Sequence, residues 1–379
     1  MFKPYPHTHN ILKPLNGLAD LKQRLLFYRI QICGILAFCI VSFAVFGLPR
    51  DEHLMKSPIN DNDNNNNTIT MLDSNTLTSN YIPEINNLII LPCHSIFAPE
   101  LNDNDINKDQ ISFIEDPNNW LLESFQLESN DHISFINHIQ LSFNELHKTI
   151  YDSVLVISGG YTKKLIKKSE SSSYYNVALK SGILKNPYFK LNKNIFLEEY
   201  ARDSYENVLF SLATFYKNFN KFPQKITIIG FGFKKERFLS SHLSTIGYYF
   251  LPNIINDQLD FNNLPDNNNH AKYISSGPII SNNDIDNDNY WQNLYNNEKK
   301  NALDLFKLNP FGSKNSLLNN KKLKRDPWNK HNEVFNFYKS NNETLNSLIE
   351  IENYEINDAW NIYQKKVMPN LPLFEMNNN

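Results

Sequence analysis

Several short apolar runs lack the polar alternation of a half-exposed strand: "NLIILPCH", "SVLVIS", "NIFLEE" and "KITIIGFG". A strand that is apolar at consecutive positions has both faces covered, and that is the situation of a parallel sheet. Between the runs lie segments with helical spacing: "WLLESFQ", "HISFINHIQLSFNELHKTI", "SSSYYNVALKSG", "SYENVLFSLATFYKNF" and "KERFLSSHLSTIG". In the long second segment Ile133, Ile136, Phe143 and Leu146 are expected to face inward. The third opens on hydroxyl caps and stops at Gly182. "YYFLP" (248–252) reads as a fifth strand. Strand and helix in alternation give a doubly wound α/β domain, and such sheets bind ligands at the carboxyl ends of their strands.

A second constraint lies upstream. Ile32–Leu48 carries no charged residue; as a helix it would span roughly 26 Å, enough for a slightly thin bilayer. Lys3, Lys13, Lys22, Arg24 and Arg29 precede it against one acid, Asp20. The expectation is one transmembrane helix (30–48) behind a cytoplasmic basic tail (1–29), with the bulk of the chain across the membrane. A cleaved signal peptide and a buried core helix are the competing readings. The first lacks a small-residue cleavage pair after the block, and the second lacks a polar stripe. A secretory membrane and the mitochondrial inner membrane both suit the tail. The sequons at Asn66 and Asn342 suit a secretory lumen, although an Asn-rich chain produces such triplets readily.

Residues 49–84 form an Asn-rich linker too poor in apolar residues to fold. The α/β domain is expected over 85–330, with a low-complexity surface loop at 264–289 ("LPDNNNHAKYISSGPIISNNDIDNDN"), followed by a helical extension and tail over 331–379. A formal net charge of −3 over 379 residues gives no reason to expect nucleic-acid binding. The three cysteines draw no disulfide framework, and no Cys/His spacing suits zinc, so no metal is expected and the cofactor is left unknown.

If the sheet is parallel, four strand ends share one edge. The first brings Cys93 and His94. These adjacent residues would point to opposite faces and cannot act as nucleophile and base together. The second brings Ser158, Gly159 and Gly160, whose free amides suit an anionic or carbonyl group; a plain tight turn is the other reading. Near the third lie Arg202, Asp203, Ser204, Glu206 and Asn207. Asp203 and Glu206 are the candidate general bases, and Asp203 and Ser204 are equally natural helix caps. After the fourth come Lys234 and Arg237, cations at a helix start, where an anionic ligand or acidic partner would offset an unfavourable dipole. His242 reads more readily as a buried hydrogen-bonding histidine than as a base.

The ordered motifs "LIILPCHSIF", "WLLESFQ", "ISGGYTK", "SESSSYY", "EEYARDSYENVLFSL", "IIGFGFKKERFLSSH" and "NPFGSKNSLLNNKKLKRDPW" resemble the eukaryotic, fungal-type branch of the domain-of-unknown-function family 218. That family is distantly related to SanA-like and YdcF-like bacterial envelope proteins. The likeness runs from about Asn87 to Trp328 and implies a Rossmann-like fold. It implies site positions at Ser158, Gly159, Gly160, Ser169, Glu170, Tyr174, Arg202, Asp203, Ser204, Glu206, Asn207, Lys234, Arg237 and His242. Lys234 stands where the bacterial branch usually has histidine, so a mechanism needing that histidine does not transfer. The resemblance also implies that Asn309, Lys322 and Arg325 lie over the pocket, or else form a basic strip. Two functions follow as expectations: an enzyme acting on a phosphorylated, nucleotide-like or lipid- or sugar-linked small molecule, or a non-catalytic binding or scaffold module at a membrane.

Overall fold

The computed structural model describes residues 84–101, 110–249, 269–278 and 287–371. The apolar block Ile32–Leu48 and the Asn-rich linker lie outside the described residues. Among those described, no helix is long and apolar enough to cross a membrane.

Five strands, β1 Asn87–Pro92, β2 Ser153–Ser158, β3 Ile195–Glu198, β4 Lys225–Phe231 and β5 Ala271–Ser276, form one parallel sheet in the order 3-2-1-4-5. Both faces are covered, as the unalternating runs require. Ile89 and Leu91 of β1, Leu155 and Ile157 of β2, and Ile229 and Phe231 of β4 point into one core. Leu88, Ile90, Val154, Val156, Ile226 and Ile228 point into the other. The first core is closed by helices α1 (Asp131–Lys148) and α2 (Glu170–Lys180). Its α1 face runs through Phe135, His138, Ile139, Phe143 and Leu146, while Ile133 and Ile136 are only half-buried. The second core is closed by α3 (Ser204–Phe219) and by a π-helical stretch, Arg237–Leu243. The helix-bearing connection thus changes face after β3, which places the topological switch between β1 and β4.

Two expectations need correction. Of the segment "YYFLP" expected as the fifth strand, residues 250–252 lie outside the described residues; Tyr248 and Tyr249 are buried but lie outside any strand, and Tyr248 donates its hydroxyl proton to the Pro223 carbonyl. β5 instead falls at Ala271–Ser276, inside the stretch expected as a surface loop, and the helix Asn287–Glu298 begins within the same stretch. As an edge strand, β5 buries Ala271 and Tyr273 and exposes more of its intervening residues. That weak alternation, set among asparagines, hides it in sequence.

The C-terminal extension is packed on the second core rather than appended to it. Val334, Tyr338, Leu345, Leu348, Ile351 and Val367 are core members. Tyr363 donates to the Thr245 carbonyl at 2.9 Å. Residues 79–379 form a compact unit, and among the described residues both cores draw only on positions between 85 and 371. A unit with its own closed cores is expected to fold by itself.

Candidate functional site

The expected site residues separate into four groups. The first is built on Ser158, at the end of β2. Its hydroxyl lies 2.5 Å from Glu198 Oε2 and 2.9 Å from Asn207 Oδ1. One hydroxyl proton cannot serve two acceptors. Burial pushes the Glu198 carboxyl up to about 8, so it is protonated near neutrality. It donates to Ser158, and Ser158 donates to Asn207. Glu198 Oε1 accepts from the Tyr200 and Ala201 amides.

The Ser-Gly-Gly amides are not free, which corrects the expectation for Gly159 and Gly160. Gly159 donates to the Glu198 carbonyl at 3.0 Å and Gly160 to the Ala201 carbonyl at 2.8 Å. Their carbonyls accept from Ser171 and Glu170, so they also cap α2, with Ser169 Oγ accepting from Ser172. The glycines are there for close approach. A β-carbon on Gly159 would sit 2.7 Å from that of Cys93, and one on Gly160 would sit 2.6 Å from the Ala201 oxygen.

The second group is a buried ion network. Arg202 grips both oxygens of Glu206, through Nη2 at 2.5 Å and Nε at 3.0 Å, and also reaches Glu352 Oε1 at 2.8 Å. Lys322 Nζ meets Glu352 Oε2 at 2.5 Å, Glu206 Oε1 at 3.3 Å and the Phe311 carbonyl at 2.9 Å. His331 Nε2 contacts Glu352 as well. Burial works to raise the Glu206 and Glu352 carboxyls, but the adjacent cations outweigh it and hold both below the usual carboxylate range. Glu206, expected as a general base, is thus a poor proton acceptor, with its oxygens occupied. Glu352 closes the network from 146 residues further along the chain, a pairing that no local pattern shows. Asp203, the other expected base, caps α3, its Oδ1 accepting from the Glu206 amide at 2.9 Å, and its other oxygen is buried without a partner among the described residues. Glu206, His331 and Glu352 bring ligand atoms within 4.8 Å of one another, but Arg202 and Lys322 already supply the positive charge. A cavity of about 10 Å³ beside them has room for one water at most.

The third group is small. Ser204 Oγ lies 2.8 Å from His242 Nε2, and that imidazole is packed against Phe306, Phe238 and Tyr205. Burial, then Arg237, holds its pKa well below the usual histidine range. This is the buried histidine the sequence suggested.

The fourth group surrounds the switch point. Lys234 Nζ lies 4.9 Å above the Phe231 ring and 5.5 Å from that of Phe233. Among the described residues this ammonium makes no hydrogen bond or ion pair. Burial, then the nearby Arg237, lowers it to about 8. His94, at the end of β1, stacks on the same Phe231 ring at 5.3 Å and meets Phe135 at 5.4 Å. Its Nε2 is buried without a partner among the described residues, and its amide donates to the Tyr174 hydroxyl at 3.1 Å. Burial, then Lys234, keeps the His94 ring neutral. The Glu170 carboxyl accepts from Thr162 and is raised by burial, against the pull of Arg325, Lys163 and Lys234. Arg237, expected to hold an anion, meets Glu298 at 3.1 Å.

His94 was weighed in sequence only as a partner for Cys93. The two are indeed separate, since the thiol points at the Leu91 carbonyl within the first core. His138 gave no sequence signal. It is fully buried, 4.8 Å from Phe231 and 6.1 Å from His94, beside the Ser276 backbone, and burial lowers its pKa to about 3. Of the three residues expected over the pocket, Lys322 is locked in the ion network and Asn309 caps Ser313. Arg325 stays exposed, donating to the Arg202 carbonyl at 3.2 Å.

No family model matches the chain. No solved structure matches it. Over 279 residues it is 32% identical to Uncharacterized protein YOR238W of Saccharomyces cerevisiae, an alignment covering 64% of this chain and 84% of the yeast protein. The chain belongs to the family of that yeast protein.

Proposed function

We propose that this is a membrane-anchored α/β protein whose switch-point crevice binds a phosphorylated small molecule and acts on it as an enzyme. The observation that carries the reading is Lys234, a half-buried cation without an ion pair among the described residues, at the carboxyl end of β4 where β1 and β4 diverge. Glu298 and Asp131 act on this ammonium only without contact; taking it partly out of water without a paired carboxylate is costly, and an anionic ligand would offset that cost. Phosphate is the anion best matched to a lysine acting as a point charge beside an aromatic wall, and a nucleotide-like, sugar-linked or lipid-linked carrier would occupy the rest of the crevice. Glu170, raised by burial and facing Lys234 and Arg325, is the proton carrier; neutral His94 is a hydrogen-bonding group for the ligand. The resemblance to family 218 supports the choice of Glu170 and Lys234, and the apolar block Ile32–Leu48 supports the anchor.

The Cys93 thiol favours a second reading. It is buried, directed at Leu91 and raised well above its usual pKa by burial. Nucleophilic catalysis has no support there, so a binding module remains the alternative. The test is a melting screen of residues 81–379 against inorganic phosphate, nucleotides, S-adenosylmethionine and sugar phosphates. A ligand at about 100 times its Kd stabilises by about 2.7 kcal/mol. Conversion of the bound ligand by wild type, lost in Glu170→Gln with binding retained, supports the enzyme. Binding without conversion by wild type supports the module, and no stabilisation by any phosphorylated compound contradicts both.

A further inference from the structure

The loop between β2 and α2 reads Lys163-Lys164-Leu165-Ile166-Lys167-Lys168, and nothing above gives it a role. Leu165 is 71% exposed. Lys163 pairs with Glu123, just before a short helix, Ser124–Glu128, on which Phe125 and Leu127 are 64% and 53% exposed. Lys168 pairs with Glu100 at 2.7 Å, next to the exposed Leu101. Trp328 donates to the Lys163 carbonyl at 3.0 Å, and the Lys167 ammonium lies 5.7 Å from its ring. These contacts stitch the loop and three other segments into one rim at the carboxyl edge of the sheet. Gln126, on the same short helix, reaches the His94 carbonyl, so the rim borders the switch-point crevice. Two of the loop's lysines are neutralised by Glu123 and Glu100. Lys164 and Lys167 are exposed and make no ion pair among the described residues.

We propose that this rim docks on an anionic lipid surface, with Leu165, Phe125 and Leu127 entering the headgroup boundary and Lys164 and Lys167 facing lipid phosphates. Exposed apolar side chains on a soluble face mark a contact surface, and free lysines interleaved with them select an anionic bilayer over a neutral protein partner. Docked in this way, the crevice would open toward the bilayer and a lipid-borne phosphate would reach Lys234 without leaving the membrane. Docking through this rim requires neither the apolar block Ile32–Leu48 nor the ligand assigned to Lys234.

Co-sedimentation of residues 81–379, which lack that block, tests it. The protein is expected to pellet with mixed phosphatidylcholine–phosphatidylserine vesicles and not with phosphatidylcholine alone, less so at high salt. Lys164→Glu with Lys167→Glu, and separately Leu165→Asp, should each weaken partitioning about tenfold or more. Their melting temperatures should stay at the wild-type value, since all three side chains are exposed. Lys234→Met should sediment like wild type, which separates failure of the ligand reading from failure of this one. The proposal is overturned by partitioning indifferent to phosphatidylserine or to the variants, or by none at all, which would assign the rim to a protein partner.

Discussion

Arg202 and Lys234 are cations at the same edge of the same sheet, and their surroundings are opposite. Arg202 is 4% exposed, and its guanidinium shares two carboxylates with Lys322, so charge and hydrogen bonds are closed within the protein. Lys234 is half-buried over two aromatic rings without a carboxylate of its own. A closed network ties the C-terminal extension to α3 and leaves nothing to offer a ligand. An open one costs stability in the free protein and recovers it on binding. The difference shows that burial and charge alone do not mark a site; the missing partner does.

Breaking the closed side should have the largest effect. Glu352→Gln or Arg202→Met strands an opposite charge in the interior, and urea denaturation should show a loss of about 3–5 kcal/mol. A loss below about 1 kcal/mol would remove the contrast.

Glu198 supplies the next effect, through pH. Its folded pKa, about 8, lies above the unfolded value of 4.5, so between these values the folded state binds more protons. The stability from the protonated form is complete below about 4.5 and is lost as pH rises through about 8. Glu198→Gln imitates the protonated carboxyl. It should match wild type near pH 4.5 and exceed it by up to a few kcal/mol above pH 8. Parallel stability–pH curves would show Glu198 to be ionised.

Gly160→Ala should cost about 1–3 kcal/mol, because the added methyl meets the rigid Ala201 carbonyl at the junction of the two regions. A neutral substitution, read by the same denaturation, would mean that the junction relaxes. Least of all, Lys234→Met should leave unliganded stability within about 0.5 kcal/mol or raise it slightly, since it removes an uncompensated charge.

Legibility in the sequence followed the range of each interaction. β1 to β4, α1 to α3 and the cap at Asp203 are local patterns, and all could be read, whereas α2 is capped by Ser169 rather than by the hydroxyls at 171–173, which lie within the helix. β5 could not, because an edge strand with one partly exposed face looks like the asparagine-rich loops around it. Lys234 and Glu170 were named, but Glu206 was given the wrong setting, since its decisive partner is Glu352 on the C-terminal extension. His94 and His138 come together only once β1 and α1 pack against Phe231. Adjacency to Cys93 was the only sequence context His94 had.

The most direct measurement is phosphate protection of residues 81–379 and of their Lys234→Met variant, followed by melting from pH 6 to pH 10. If Lys234 holds the anion, inorganic phosphate or a phosphorylated ligand raises the melting temperature of wild type. That gain fades as pH rises through about 8 and the ammonium loses its proton. The variant gains nothing at any pH. Equal protection of both proteins, or protection of wild type that persists to pH 10, would contradict the account.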